Sequence, residues 1–87
     1  MTERAEYFPV FLMARQDLSH RLGVSSDSVR QARVEKVEWP DTSLGNAQPG
    51  GLYAQMLVPG FRLTLEAHGQ SYLYHTSRDR VVLVGQG

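Results

Sequence analysis

Three histidines, His20, His68 and His75, are the residues of this chain best suited to acid–base or metal chemistry near neutral pH. His20 falls in a polar run with helical spacing, His68 beside a glycine, and His75 in an alternating apolar stretch. None has a second histidine or a carboxylate at a ligand spacing such as i, i+4 on a helix, so a metal site would have to be built from scattered elements. No metal and no cofactor is expected. Ser43, His75 and Asp41 or Asp79 supply the types of a nucleophile, a base and an orienting acid. Ser43 lacks the strand–turn–helix setting that exposes a nucleophilic serine. Asp41, Thr42 and Ser43 are instead the types that bond nearby backbone N–H groups, here directly after Pro40. A small hydrolase centred on His75 and Asp41 is the least favoured reading, and the chain is expected not to be an enzyme.

Other candidate chemistries dissolve on inspection of spacing. Glu35 and Glu38 fall on opposite faces of a strand, so a paired-carboxylate site with Asp41 needs an intervening bulge. Gly45, Gly50, Gly51 and Gly60 belong to no phosphate-cradling motif, and Lys36 is the single lysine. Arg30, Arg33 and Lys36 with Tyr53 or Tyr74 have the types of a single-strand clamp. Glu35, Glu38 and Glu66 dilute that field, while Tyr72 and Tyr74 share the parity of core leucines. Trp39 is the residue that stands out. It ends a strand just before an unusual loop, and its indole is both a large anchor and an N–H donor.

That loop runs from Pro40 to Gly51 and holds two prolines, three glycines and one large apolar side chain, Leu44. Loops of this length in small domains are functional or mobile. Leu52 to Val58 fits a short strand or a turn and a half of helix. Phe8, Phe11, Leu12, Leu18 and Leu22 recur at helical spacing, with Pro9 in the first turn and Gly23 as the left-handed stop. The spacing predicts a helix over 9–22. A turn comes next at 25–28, then a strand over 29–39 with a bulge near Glu35 and Lys36, where the parity of Val34 differs from that of Val37 and Trp39. Pro59-Gly60 reads as a turn. Phe61, Leu63, Leu65 and Ala67 alternate with polar residues, and His68-Gly69 is a two-residue hairpin loop. Ala67 then faces Gln70, Leu65 faces Tyr72, Leu63 faces Tyr74 and Phe61 faces Thr76, which places the large apolar residues except Leu73 on one side. A turn at 77–80 adds a last strand, with Val81 opposite Thr76 and Leu83 opposite Tyr74, completing a meander over 61–84.

These elements make residues 1–87 a single α+β domain: one N-terminal helix on a roughly four-stranded antiparallel sheet, a C-terminal β-meander and one long Pro/Gly-rich loop. Leu73, Val82 and Val84 fall on the uncovered sheet face, which calls for the loop or a second copy to cover it. Nine basic and nine acidic residues leave no formal charge, so neither nucleic acid nor a membrane surface is an expected partner. The absence of cysteine excludes disulfides and thiolate chemistry. With 41% hydrophobic and 21% charged residues, the chain is in the globular range. Its first residues read as no secretory signal, which makes the cytoplasm the expected compartment.

The stretch Glu38-Trp39-Pro40-Asp41-Thr42-Ser43-Leu44-Gly45, with Gln48-Pro49-Gly50, Tyr53-Ala54-Gln55, Pro59-Gly60-Phe61-Arg62 and Tyr72-Leu73-Tyr74-His75-Thr76 after it, resembles an uncharacterised bacterial domain. Its members read V-E-W-P-D-x-S-L-G-C-P-x-P-G, then Y-x-Q, then P-G-Y-R-I-x-L-E-x-x-G-x-x-Y-x-Y-H-T, and end in V-V-L-C. The likeness spans Leu18 to Val84. It implies a domain that is often secreted or lipoprotein-borne, with two cysteines suited to a disulfide. Asn46 and Val84 stand at those positions here, which fits a copy working in a reducing compartment. The layout is also similar to small helix-plus-sheet modules of the PepSY and cystatin-like kind, some of which bind or inhibit peptidases.

The function expected is therefore that of a non-enzymatic binding module that meets a protein or peptide partner, a peptidase among the candidates, through the 40–51 loop. Its candidate contact residues are Trp39, Asp41, Ser43, Leu44, Asn46, Gln48 and Tyr53, with Leu44 as apolar plug. A monomer or a homodimeric structural domain is the alternative.

Overall fold

The computed structural model describes the backbone of residues 4–86 and the side chains of residues 5–86. Helix α1 (Arg4–Leu22) and a single 3-10 turn (Ser26–Ser28) precede four strands: β1 (Arg30–Trp39), β2 (Val58–Ala67), β3 (Gln70–Thr76) and β4 (Val81–Gln86). The strands form one antiparallel sheet in chain order, β1-β2-β3-β4, with α1 packed on one face.

The hairpin sets the register. His68 and Gly69 both take positive φ, 52° and 77°, as the tight turn between right-twisted strands requires. Leu65 then meets Tyr72, Leu63 meets Tyr74 and Phe61 meets Thr76, while across the next turn Val81 meets Thr76 and Leu83 meets Tyr74. Every one of these pairings is the one the alternation predicts. The inward residues Phe61, Leu63, Leu65, Ala67, Tyr72 and Tyr74 are buried under α1.

The helix differs from its sequence reading in extent and in face. It starts at Arg4, so Pro9 lies within it rather than in its first turn. Pro9 gives no N–H to the carbonyl of Ala5, but both residues are exposed and water can serve that carbonyl. The buried seam runs through Val10, Phe11, Ala14 and Leu18, whereas Leu12 and Leu22 are exposed. With about 3.6 residues per turn, Leu12 falls on the side of α1 away from this seam, while Leu22 is in its last turn. The C-terminal end is a left-handed stop at Gly23 (φ 68°) with the Val24 N–H bonded back to the Ser19 carbonyl at 3.0 Å.

Three further boundaries move. The bulge of β1 lies between Gln31 and Arg33, not near Glu35 and Lys36. Val34 therefore faces α1 while Val37 and Trp39 face the opposite side, because at this end of β1 both faces of the sheet are covered. Leu52 to Leu57 is neither strand nor helix. Pro59 and Gly60 are not a turn but part of β2, opposite Glu38 and Val37. The Phe61 N–H points to Thr76 of β3, so by alternation the amide position of Pro59 points the same way, past the end of β3. A proline is tolerated in this inner strand because its missing N–H faces a gap.

A part-buried polar contact joins the layers. The buried Tyr74 hydroxyl donates to Asp17 Oδ2 at 2.7 Å, and Asp17 also accepts from Arg21 Nε at 2.6 Å. Burial disfavours the Asp17 carboxylate, but these two donors outweigh it and hold its pKa below the usual carboxylate value. Burial and the adjoining carboxylate raise the Tyr74 pKa. Tyr74→Phe is expected to lower stability by about 1 kcal/mol and to raise the Asp17 pKa toward its ordinary value, measured by urea unfolding and by NMR titration. Leu65→Ala, a cavity in the fully buried centre, is expected to cost about 2–5 kcal/mol in the same unfolding measurement.

Candidate functional site

The site grows from the last residue of β1. Trp39 turns its side chain to the face opposite α1, where it is buried, and its indole Nε1–H donates to the Thr76 carbonyl of β3 at 2.7 Å. To get there the ring crosses β2 above Gly60. A Cβ at Gly60 would collide with the Thr76 carbonyl and come within 2.8 Å of the indole nitrogen, so only glycine leaves the passage open. The indole stacks on His75 with ring centroids 4.4 Å apart, and the Arg62 guanidinium lies 5.6 Å from the indole ring.

His75 carries the contact onward. Its Nδ1 lies 2.7 Å from the Leu44 carbonyl, which only accepts, so the proton sits on Nδ1 and Nε2 is the nitrogen that titrates. Leu44 and Gly45 both take left-handed φ, 57° and 75°. A leucine is strained there, and the strain is offset by near-complete burial of its side chain, which is 1% exposed. A Cβ at Gly45 would sit 3.2 Å from both His75 Nδ1 and Trp39 Cζ3, so the chain passes tight against the stacked rings.

The rest of residues 40–57 is braced by its own polar groups. Asp41 Oδ1 accepts from the Ser43 N–H at 2.9 Å and from Ser43 Oγ at 2.5 Å. The Thr42 N–H donates to the Ala54 carbonyl at 3.1 Å, and Ala54 N–H donates to Thr42 Oγ1 at 2.9 Å. Arg80 Nη2 ties the Thr42 carbonyl to the 77–80 turn at 3.1 Å. Tyr53 folds over Gly51, where a Cβ would strike its ring, and its hydroxyl accepts from the Gln48 N–H at 2.9 Å. Asp41, Thr42 and Ser43 thus bond the backbone and each other, as their types predict.

This placement divides the residues singled out from sequence. Trp39, Ser43 and Leu44 are buried and form the floor; Leu44 plugs this protein's own interior rather than a partner's. Asp41, Asn46 and Tyr53 are half-buried, and Gln48 is exposed. Ser43 bonds Asp41 while His75 bonds Leu44, and Asp79 Oδ1 accepts from Ser77 Oγ, so the order nucleophile–base–acid is not formed. Arg30, Arg33 and Lys36 pair with Glu66, Glu35 and Glu6. Among the described residues no group of three or more His, Asp or Glu side chains is placed to hold a metal ion, and no helix is long and apolar enough to cross a membrane.

Sequence reasoning missed the segment C-terminal to the loop. Leu52 is 97% exposed, Met56 57% and Leu57 63%. Beside them lies a cleft of ≈ 460 Å³ lined by Thr42, Leu44, Met56, Val58, Pro59 and the turn at 77–80. The available signal was an apolar segment that matches neither the period of a helix nor that of a strand.

Burial, and secondarily the nearby Arg62 charge, lowers the His75 pKa below its ordinary 6.5, although the Leu44 carbonyl pulls the other way. The unfolded chain therefore takes up this proton first. Stability is expected to be full above pH 6.5 and to fall as the pH drops from there through the lowered folded pKa. His75→Gln should flatten that slope. Trp39, the single tryptophan, reports the transition by fluorescence. Gly60→Ala is expected to cost about 2–4 kcal/mol in chemical unfolding and to shift the Trp39 emission, because the indole can no longer reach Thr76.

A family model described as Domain of unknown function (DUF8738) matches residues 11–84. No curated protein and no solved structure matches the chain. The matched residues begin at the buried Phe11 of α1 and take in β1, the clamped residues 40–57, the hairpin and β4 up to Val84. The chain belongs to the DUF8738 family.

Proposed function

We propose that this chain is a non-enzymatic binding module that receives a protein or peptide partner on the outer surface of residues 40–57. The observation that carries the reading is the near-total exposure of Leu52, with Met56 and Leu57 exposed close by. A domain this small needs its large apolar side chains inside. Three of them in water within six residues mark a contact surface rather than a packing accident.

The bracing supports the same reading. Tyr53 is fixed to Gln48 and Ala54 to Thr42, and the Gly51 N–H donates to the Gln48 carbonyl, so Leu52 is held from both sides by a backbone that is already ordered. A preorganised segment loses little conformational entropy when a partner closes on it. The sequence-derived loop at 40–51 is then the support, and the apolar anchors come after it at 52–57. Arg78, on the rim of the adjoining cleft, has no hydrogen bond or ion pair among the described residues, and it favours a partner with a carboxylate beside its apolar contact.

Affinity capture from a lysate, with the intact chain and with the Leu52→Ser, Met56→Ser, Leu57→Ser triple variant, tests this. The triple variant is expected to stay folded, since its changed side chains are in water, and to lose the partner that the intact chain retains. Equal capture by both chains would refute the proposal. Leu44→Ala, by contrast, is a core truncation and is expected to cost about 2–5 kcal/mol of stability.

A further inference from the structure

The two edges of the sheet are unlike. β1 carries Arg30, Arg33, Glu35, Lys36 and Glu38, the kind of charge that keeps an open edge from pairing. β4 reads Val81-Val82-Leu83-Val84-Gly85-Gln86, with no charge and no proline. Among the described residues nothing pairs with its outer side.

The register says which groups are free. The Phe61 N–H points to Thr76, so Thr76 turns its peptide groups toward β2 and His75 turns its own toward β4. Val82, opposite His75, returns those bonds. Val81 and Leu83 therefore direct their N–H and C=O groups away from the sheet. A bulge at Val84, between the Tyr74–Leu83 and Leu73–Gly85 pairs, ends the regular stretch.

We infer that this edge is the seat of a symmetric contact with a second copy of the chain, antiparallel about an axis at Val82. In that register Val81 of each copy pairs with Leu83 of the other through the outward groups, and Val82 lies beside Val82. Val81 and Leu83 already pack against the core under α1, so the two cores become continuous. Val81 also lines a hollow of ≈ 530 Å³ with the exposed Met13, together with Gln16, Asp17 and His20 of α1. The second copy brings its own Met13 to this hollow, and helix contact enlarges an interface that a short strand pair alone leaves small. A copy docking through β1 would instead set charged side chains against Val81 and Leu83. A neutral strand meeting itself has no such conflict, and the two-fold arrangement closes rather than polymerises.

Sedimentation equilibrium over a concentration series tests this. The intact chain is expected to move from 9.8 kDa toward twice that mass as concentration rises. Val82→Asp and Val82→Lys, each checked for native circular dichroism, are expected to stay monomeric alone, because like charges meet at the axis. An equimolar mixture of the two is expected to recover the dimer. If either variant fails to fold, Val81→Pro replaces it: the change removes an outward N–H at the first residue of β4 and spares the β3 ladder, and a monomer is expected. In the intact chain the Val81 and Leu83 amides should become slow to exchange as the dimer forms. An intact chain that stays monomeric throughout overturns the inference. So do variants that dimerise like the intact chain, a mixture that stays monomeric, or Val81 and Leu83 amides that exchange freely in the dimer.

Discussion

The structure depends on one hydrogen bond that spans three strands. Trp39 leaves β1, crosses β2 where Gly60 has no side chain, and gives its indole proton to the Thr76 carbonyl of β3. An unmet indole N–H or carbonyl in that buried position would cost a desolvation penalty of about 1–3 kcal/mol, so the bond constrains the chain even where its net contribution is modest. Once the indole is fixed, His75 has a surface to stack on. Once His75 is fixed, its Nδ1 proton selects the Leu44 carbonyl. The left-handed turn at Leu44 and Gly45 results, and residues 40–57 are drawn over the second face of the sheet.

A sheet covered on both faces at one end has consequences elsewhere. β1 needs no bulge between Val34 and Trp39, since apolar side chains of either parity find cover. The helix and the 40–57 segment divide the work: α1 buries Leu63, Leu65, Tyr72 and Tyr74, while Trp39 and Leu44 form a smaller buried group on the far side. What the segment cannot bury it presents. Thr42, Tyr53 and Arg80 hold it in shape, and Leu52 and Leu57 remain in water.

Much of the fold was legible because its signals are local. The His68-Gly69 turn specifies a register, and the alternation on either side specifies a face, so the meander can be read from a short stretch of sequence. Gly23 and Val24 announce the helix end for the same reason. Non-local facts escaped. Pro59-Gly60 has the composition of a turn, and only the end of β3 at Thr76 and the path of the indole explain its place in a strand. Leu12 and Leu22 have helical spacing, but the seam through Val10, Phe11, Ala14 and Leu18 leaves Leu12 on the far side of the helix and Leu22 at its end. Leu44 reads as an exposed plug because sequence shows a lone apolar residue in a polar loop and not the left-handed turn that folds it inward. The candidate site was legible as a place, around Trp39 and the residues after it, and not as a surface.

The most direct measurement of this account is the hydrogen exchange of the Trp39 indole proton, followed by NMR under native conditions. If the indole clamps β1 to β3 and so seats residues 40–57, its Nε1–H exchanges only when the whole domain unfolds, at the rate of the Leu65 amide in the sheet centre. Exchange at the rate of a free indole, with the Leu65 amide still protected, would show that the clamp opens independently and that the segment is not held by it.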